Sequence, residues 1–325
     1  METLPHRRLP AEWERQDAIL LTWPHAATDW NSEPGLLDEV TACYLHLAQE
    51  IAMREQLIVV TPEPENVIIL LEKALPPSSL LHVSLLECAT DDTWARDHGP
   101  IILADGTALD FRFNGWGGKY PAEKDNAISR HLFDSGLLPC PTYENCLDFE
   151  LEGGSIESDG HGTILTTVRC NQNPNRRGQH SNVQEEVEAV FRQRLGAERV
   201  LWLRHGGLEQ DDTDGHIDTL ARFCPNDTII YGGGDEQMLD ELQTFRTPSG
   251  HPYRLLEVPP YYANFLVING AVLLPYYEDA QQNSQATAVL QQVFPEREIV
   301  GIDCRVLLRQ NGSLHCCTMQ IPTIC

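Results

Sequence analysis

The sequence predicts an α/β fold in a single domain spanning residues 1–325, and three observations point to it. Short apolar runs of strand character alternate with segments of helical period along the whole chain. Turn signals such as A-D-G, S-D-G-H-G, P-N-D and N-G join the strands in pairs. These strand–turn–strand–helix–strand units start about every 50 to 65 residues. That period suggests radial repetition, five hairpin-plus-helix units closing into a ring without free sheet edges. An ordinary α/β protein that merely alternates strands and helices is the rival reading of the pattern.

The chain opens with a strand over 18–22, flanked by Trp13, Trp23 and Trp30. Residues 33–54 read as an amphipathic helix, with Leu36, Leu37, Val40, Tyr44, Leu47, Ala48 and Ile51 on a 3.6-residue period. A strand over 57–61, a helix over 65–74 and a strand over 82–88 follow. From Asp97 come a strand, the A-D-G turn, a strand over 108–113, the corner F-N-G-W-G-G and a helix over about 122–137. From Glu152 the pattern repeats, with strands over 164–167 and 199–203, an irregular N-Q-N-P-N-R-R and a helix near 182–195. A third unit begins at His216, with a strand over 217–223, a strand over 228–231, a helix over 236–245 and a strand over 253–258. A fourth begins at Asn264, with strands over 265–268 and 272–275, a helix over 285–294 and a strand over 298–302. The fifth, from Cys316, has one strand before the sequence ends, and the strand over 18–22 is available to complete it.

Composition narrows the classes of function. A net charge of −25 argues against nucleic acid as a partner, because phosphate recognition needs Lys and Arg. An acidic surface steers cationic small molecules toward itself, although solubility alone also accounts for it. No apolar run approaches the roughly 18 to 20 residues that span a bilayer, so no membrane is expected. The opening M-E-T-L-P-H-R-R-L-P lacks the apolar core of a signal peptide, and a cytoplasmic location is expected. The ten cysteines lack the spacing of a disulfide scaffold and read mostly as free, buried filler.

The unit starts carry the chemistry: Asp97 in W-A-R-D-H-G-P, Glu152 in L-E-G-G-S-I, His216 and Asp218 in D-G-H-I-D, Asn264 in Y-A-N-F and Cys316 in L-H-C-C-T. In a closed ring, equivalent positions converge on the axis. Three carboxylates, an imidazole and a thiol would then face one another. Paired acids hold a planar cation, Cys supplies a nucleophile and His moves protons. Taken singly each signal has a plainer reading: a Cys on an apolar strand is usually inert, an H-x-D can be a solvated junction, and Trp94 and Trp116 can be core. On a strand, His216 and Asp218 would share one face, while Cys316 and Cys317 would face opposite ways. Neither C-x-x-C nor H-E-x-x-H occurs, and no metal is expected.

The motifs P-A-E-W-E (10–14), T-W-P (22–24), W-A-R-D-x-G-P (94–100), F-N-G-W-G-G-K (113–119), L-E-G-G-S-I (151–156), N-P-N-R (173–176), D-G-H-I-D (214–218) and H-C-x-T-x-Q-I-P (315–322) together resemble the agmatine deiminase family. That family includes bacterial peptidyl-arginine deiminases and belongs to the pentein, or guanidino-group-modifying, superfamily. The resemblance runs from about residue 10 to 322 and implies a five-bladed α/β propeller. It implies Cys316 as nucleophile, His216 as general acid and base, Glu152 as the acid beside it, and Asp97 with Asp218 as the clamp on a guanidinium. The implied reaction is hydrolysis of agmatine to N-carbamoylputrescine and ammonia, within polyamine (putrescine) synthesis. It needs neither metal nor organic cofactor, and family members often form homo-oligomers. Of the paired cysteines the family pattern selects Cys316 and leaves Cys317 buried.

Agmatine carries a second cation, for which Asp212 is the candidate partner, with Trp94 offering a face to the alkyl chain and Trp116 also lining the substrate site. One departure from the family pattern is R-Q-N-G-S-L (309–314) where a glycine-rich run is common. Arg309 near the pocket mouth would disfavour a dication or hold a carboxylate, which keeps free or peptidyl arginine as the alternative substrate. A non-catalytic guanidinium-binding protein and a cysteine peptidase are the rival classes. The peptidase would leave three acids surplus, without a recognisable oxyanion donor.

Overall fold

The computed structural model describes residues 7–208 and 211–324; residues 1–6 of the opening segment and the terminal Cys325 lie outside them. The strands, in chain order, are β1 (Gln16–Thr22), β2 (Gln56–Thr61), β3 (Val83–Glu87), β4 (Ile101–Ile102), β5 (Thr107–Arg112), β6 (Thr142–Glu150), β7 (Ile156–Ser158) and β8 (Thr163–Thr167). They continue with β9 (Arg199–Leu203), β10 (Ala221–Cys224), β11 (Thr228–Gly232), β12 (Arg254–Val258), β13 (Leu266–Ile268), β14 (Ala271–Tyr276), β15 (Glu298–Asp303) and β16 (Thr318–Pro322). They form five separate mixed sheets: β4-β5-β6, β7-β8-β9, β10-β11-β12, β13-β14-β15 and β16-β1-β2-β3.

Each three-stranded sheet is built alike. An antiparallel hairpin comes first, and a helical crossover then returns the chain parallel to the hairpin's second strand, as a parallel pair requires. The fifth sheet borrows its first strand from the C-terminal end: β16 lies antiparallel to β1, with Leu20 opposite Met319 and Ile19 opposite Gln320. The strand at the start of the chain therefore completes the last unit, as its position in the sequence suggested.

Burial grades across every sheet. The middle strands β2, β5, β8, β11 and β14 are buried almost throughout, whereas β3, β6, β9, β12 and β15 are largely half-exposed. The helix Leu36–Ala52 shows why the crossovers fold as they do. Val40, Tyr44, Leu47, Ala48 and Ile51 are fully buried and pack with Leu57 and Val59 of β2. Burial of each of Val40, Leu47 and Ile51 stabilises by roughly 1.5–3 kcal/mol.

Several boundaries differ from the sequence reading. The helix expected over 122–137 is confined to Ile128–Asp134 behind a short 3₁₀ turn. The irregular N-Q-N-P-N-R-R contains a helical turn, Pro174–Arg177, started by Pro at its first position and capped by Asn173, whose side chain accepts from Asn175 N–H at 2.9 Å. The helix expected over 285–294 begins earlier, at Ala280, because Asp279 caps it by accepting from the N–H groups of Gln281 and Gln282.

The structure departs furthest from the expected strands at the unit starts. His216 and Asp218 do not lie on a strand: Ile217–Thr219 is a 3₁₀ turn, and β10 begins only at Ala221. Likewise His315–Cys317 is a 3₁₀ turn before β16, so alternation along a strand does not separate Cys316 from Cys317. Asp97 sits in the turn Ala95–His98 before β4, and Glu152 heads the turn Gly153–Ser155 before β7. These turns touch one another, which brings together residues far apart in sequence.

Candidate active site

Asp97, His216, Glu152, Asp218 and Cys316 form one buried cluster. The His216 ring places Nδ1 3.6 Å from Asp97 Oδ1 and Nε2 3.9 Å from Glu152 Oε2. Cys316 Sγ lies 3.8 Å from Asp218 Oδ2. Cys316 is 6% exposed and His216 and Asp218 are at 0%, so the thiol is the member of that trio that meets the outside.

Each of these groups is held by its own neighbours. Asp97 accepts the Gly154 N–H at 3.1 Å and the Trp116 indole N–H at 3.0 Å. Trp116 reaches it from the glycine-rich corner, with its own backbone at φ 55°, the left-handed region that a non-glycine residue rarely adopts. The His216 N–H donates to Thr213 Oγ1 at 3.0 Å. Asn264 Oδ1 accepts the His315 N–H at 2.9 Å, the Cys316 N–H at 3.4 Å and the Cys316 thiol at 3.4 Å. Both His216 ring nitrogens and Asp218 Oδ1 are buried without a hydrogen-bond partner among the described residues. Unmet polar atoms so concentrated mark a place where a polar ligand belongs.

The electrostatics are equally uneven. Burial pushes the Asp97 carboxyl up to about 6, opposed by His216 and assisted by the charges of Asp218 and Glu152. Burial also acts to raise Glu152, but the Arg176 guanidinium and His216 overcome it and hold the carboxyl at about 2. Against its own burial, His216 is kept well above the ordinary imidazole range by Asp97 and the anions around it. Burial works against ionised Asp218 too, yet His315, His216 and Arg222 hold it below the usual carboxylate range. Cys316 is pushed well above the ordinary thiol range by burial and by Asp218 and Asp97. The resting cluster is thus a thiol and an imidazolium among carboxylates. A bound cation would remove the main electrostatic obstacle to a thiolate.

A cleft of about 350 Å³ leads to Cys316 and Asp97, and Trp94, Trp116, Tyr120, Asp92, Asp212 and Arg309 line it. Of the expected substrate-side residues, Asp97, Trp94, Trp116 and Asp212 line this space, whereas Asp218 is fully buried and is not part of its lining. Asp212 accepts from Tyr120 OH at 3.0 Å on the cleft wall. Trp94 is buried, its ring packed against Gly312. Arg309 stands at the mouth, paired with Glu33. Cys317 is fully buried in the core with Tyr44, as the family pattern implied.

Sequence reasoning missed several supports. Arg176, inside the N-P-N-R motif, places Nε 2.9 Å from both Glu152 oxygens and Nη1 2.8 Å from Asp214. His315 places Nδ1 2.7 Å from Asp218 Oδ2. Glu12, from P-A-E-W-E, meets His315, Arg96 and Arg222. The motifs marked these positions, but no periodicity says which way such side chains turn. Among the described residues two groups have donor atoms within 4.8 Å of one another, the buried Glu152, Cys170 and His216, and the half-buried Glu12 with buried Glu157 and His315. In each a guanidinium already supplies the cation, Arg176 in the first and Arg222 in the second.

The described cysteines are all free, and most are buried. No helix among the described residues is long and apolar enough to cross a membrane.

Known proteins resemble this chain over nearly its full length. An agmatine deiminase from Pseudomonas fluorescens is 30% identical in an alignment covering 97% of this chain and 95% of the relative. The solved structure of a candidate arginine deiminase from Porphyromonas gingivalis superposes with a TM-score of 0.89 at 45% identity, over 98% of each chain. A serine-for-cysteine variant of the C. jejuni agmatine deiminase, solved with substrate bound, superposes with a TM-score of 0.85 at 32% identity, over 98% of this chain and 97% of its own. The model of the Porphyromonas-type peptidyl-arginine deiminases matches residues 8–322, and the chain belongs to that family.

Proposed function

We propose that this protein is an agmatine deiminase, converting agmatine and water to N-carbamoylputrescine and ammonia. The observation that carries the reading is the Cys316 thiol, 3.8 Å from Asp218 Oδ2 at the base of a cleft whose wall bears further carboxylates. The five like sheets are read as blades of a five-bladed α/β propeller, the pentein fold, with the site turns at its axis. A cytoplasmic location and a role in putrescine synthesis belong to the same reading.

A guanidinium carbon is a poor electrophile, because its charge is delocalised and it has no good leaving group. Asp97 and Asp218 hold the group flat through charge-assisted hydrogen bonds. Its positive charge offsets the two anions that raise the Cys316 pKa, so the thiol releases its proton to solvent through the cleft and the thiolate adds to the central carbon, the C–N π electrons passing to nitrogen. His216, already an imidazolium, gives its proton to the departing nitrogen, and ammonia leaves an amidino-cysteine. The neutral imidazole then takes a proton from water and hydroxide adds to the same carbon; collapse forms the ureido C=O, breaks the C–S bond and passes the hydroxyl proton to the departing Cys316 sulfur. Glu152 steadies the imidazolium and is kept ionised by Arg176 throughout.

Ammonia release from agmatine, free arginine and a blocked arginine peptide, with Cys316→Ala beside the wild type, tests this reading. Turnover of agmatine alone, lost in the variant, supports it; preference for either arginine substrate keeps the chemistry and moves the substrate. That second substrate reading rests on Arg309, a cation at the cleft mouth able to meet a carboxylate. Silence on all three substrates would overturn the deiminase reading.

A further inference from the structure

The His315 imidazole does not line the cleft and has no part in the chemistry above, yet it is among the most enclosed side chains of the site, 1% exposed. Its Nδ1 lies 2.7 Å from Asp218 Oδ2. Its Nε2 lies 2.8 Å from Glu12 Oε1 and 3.0 Å from Arg222 Nη2. Those neighbours are tied in turn. Arg96 Nη1 donates to Glu12 at 3.2 Å, and Arg222 is paired with Glu12 and Glu157. Arg222 also donates to the carbonyl oxygens of Ala263 and Phe265, at 3.2 and 2.7 Å. With the His315 N–H bound to Asn264, the ring is fixed on every side.

A guanidinium can only donate, so Nε2, 3.0 Å from Arg222 Nη2, is the accepting nitrogen of the ring, and Nδ1 carries the hydrogen and donates it to Asp218 Oδ2. Glu12 stands at the same nitrogen because Arg96 and Arg222 hold it there. The consequence falls on Asp218: Oδ2 is occupied and beside Cys316, while Oδ1 is buried with no partner. A carboxylate pinned by one oxygen presents the other in a fixed direction.

We propose that His315 is a positioning residue, whose Nδ1–H fixes Asp218 Oδ2 so that Oδ1 is presented to the substrate cation, with Glu12 and Arg222 anchoring the ring from its other nitrogen. The inference rests on the deiminase reading of the site. It also gives the P-A-E-W-E segment a function, as the outer end of a chain of contacts that reaches the substrate.

Two isosteric substitutions separate positioning from packing. His315→Asn places an amide N–H near the Nδ1 position, whereas His315→Gln reaches toward Nε2 and leaves Asp218 without its donor. Both are assayed for kcat and KM with agmatine, for agmatine affinity by calorimetry in the Cys316→Ala background, and for melting temperature. His315→Asn is expected within about threefold of wild type, and His315→Gln to weaken agmatine binding by about 10- to 100-fold, the effect of losing a hydrogen bond to a charged group. Equal losses in both variants, or none in either, would overturn the proposal. Should neither variant fold, Glu12→Gln leaves the ring intact and loosens only its anchor: a KM raised about threefold supports the role, and an unchanged KM overturns it. Wild-type turnover of agmatine in the same assay tests the deiminase reading separately, so the failure of one is not mistaken for failure of the other.

Discussion

Arg176 Nε lies 2.9 Å from both carboxylate oxygens of Glu152, and neither side chain reaches solvent. A buried ion pair costs desolvation on both sides, so its net contribution is modest, but breaking it from one side leaves a bare charge in the interior. Arg176→Met is therefore expected to destabilise the fold by about 3–5 kcal/mol in urea titrations at pH 7. The pH dependence has a fixed sign. Glu152 titrates at about 2 in the folded protein against an ordinary 4.5. Its stabilising contribution is complete above about pH 4.5 and is lost as pH falls toward 2. The gap between wild type and variant should narrow over that window; a gap constant with pH would show that Arg176 acts through packing alone.

Asp97 behaves in the opposite sense. Its carboxyl titrates at about 6 when folded, above the ordinary 3.8, so the folded protein holds a proton that the unfolded chain has released. Its contribution to stability is complete below about pH 3.8 and is lost as pH rises through about 6. Binding a guanidinium needs the ionised form. Turnover per substrate, kcat/KM, should thus fall about tenfold per pH unit below pH 6, where stability gains from the same proton. Asp97→Asn is expected to unfold no more readily than wild type at pH 8 while losing activity at least about a hundredfold. An acid limb near pH 4 would assign it to another group.

How much of this was legible in the sequence follows from where each interaction is made. The unit starts were legible because strand pairs, turn residues and crossover helices are local, and the residue types at the starts shared a chemical purpose. The turns that hold them were not. Whether 217–219 continues a strand or closes a 3₁₀ turn is decided by packing against Gly153–Ser155 and by the contact of Thr213 with the His216 backbone, and both are tertiary. Arg176 was inside a recognised motif, in a segment that reads as irregular, and only the fold shows that its guanidinium turns inward to Glu152. Glu12 is the extreme case, since its partners Arg96, Arg222 and His315 come from three distant segments.

Gly154 marks how closely the cluster is packed. A Cβ there would stand 2.6 Å from His216 Nδ1, 2.9 Å from Asp97 Oδ1 and 3.1 Å from Asp218 Oδ2. The position does not require a left-handed backbone, so alanine is excluded by crowding alone. Gly154→Ala is expected to keep the fold, with a loss of about 1–3 kcal/mol, while kcat/KM falls at least about a hundredfold as the imidazole and the two carboxylates are pushed apart. Thermal melting and steady-state kinetics on one preparation check both halves. Near-normal turnover would mean that the three groups need not approach as closely as the resting geometry has them.

Arg309 is a cation among the residues lining the cleft, where a second charge on the substrate would meet it. It lies at the mouth among the lining residues, with Glu33 against one end of its guanidinium and Glu39 4.0 Å from the other. Both acids are well exposed, so the pairing is worth at most about 1 kcal/mol and is screened by salt. A cation so compensated repels a dicationic substrate weakly, and Arg309→Ala should change the KM for agmatine less than about threefold. Removing the compensation is the sharper test. Glu33→Gln leaves the Arg309 charge less opposed and is expected to raise the agmatine KM about two- to fivefold at low ionic strength, an effect that fades by 0.5 M salt. The same substitution should leave free arginine unaffected or improved, since its carboxylate would meet a freer guanidinium. If Arg309→Ala instead raises the KM for arginine about tenfold and leaves agmatine unchanged, Arg309 is a carboxylate-binding group, and the mouth of the cleft is built for an amino acid rather than a diamine.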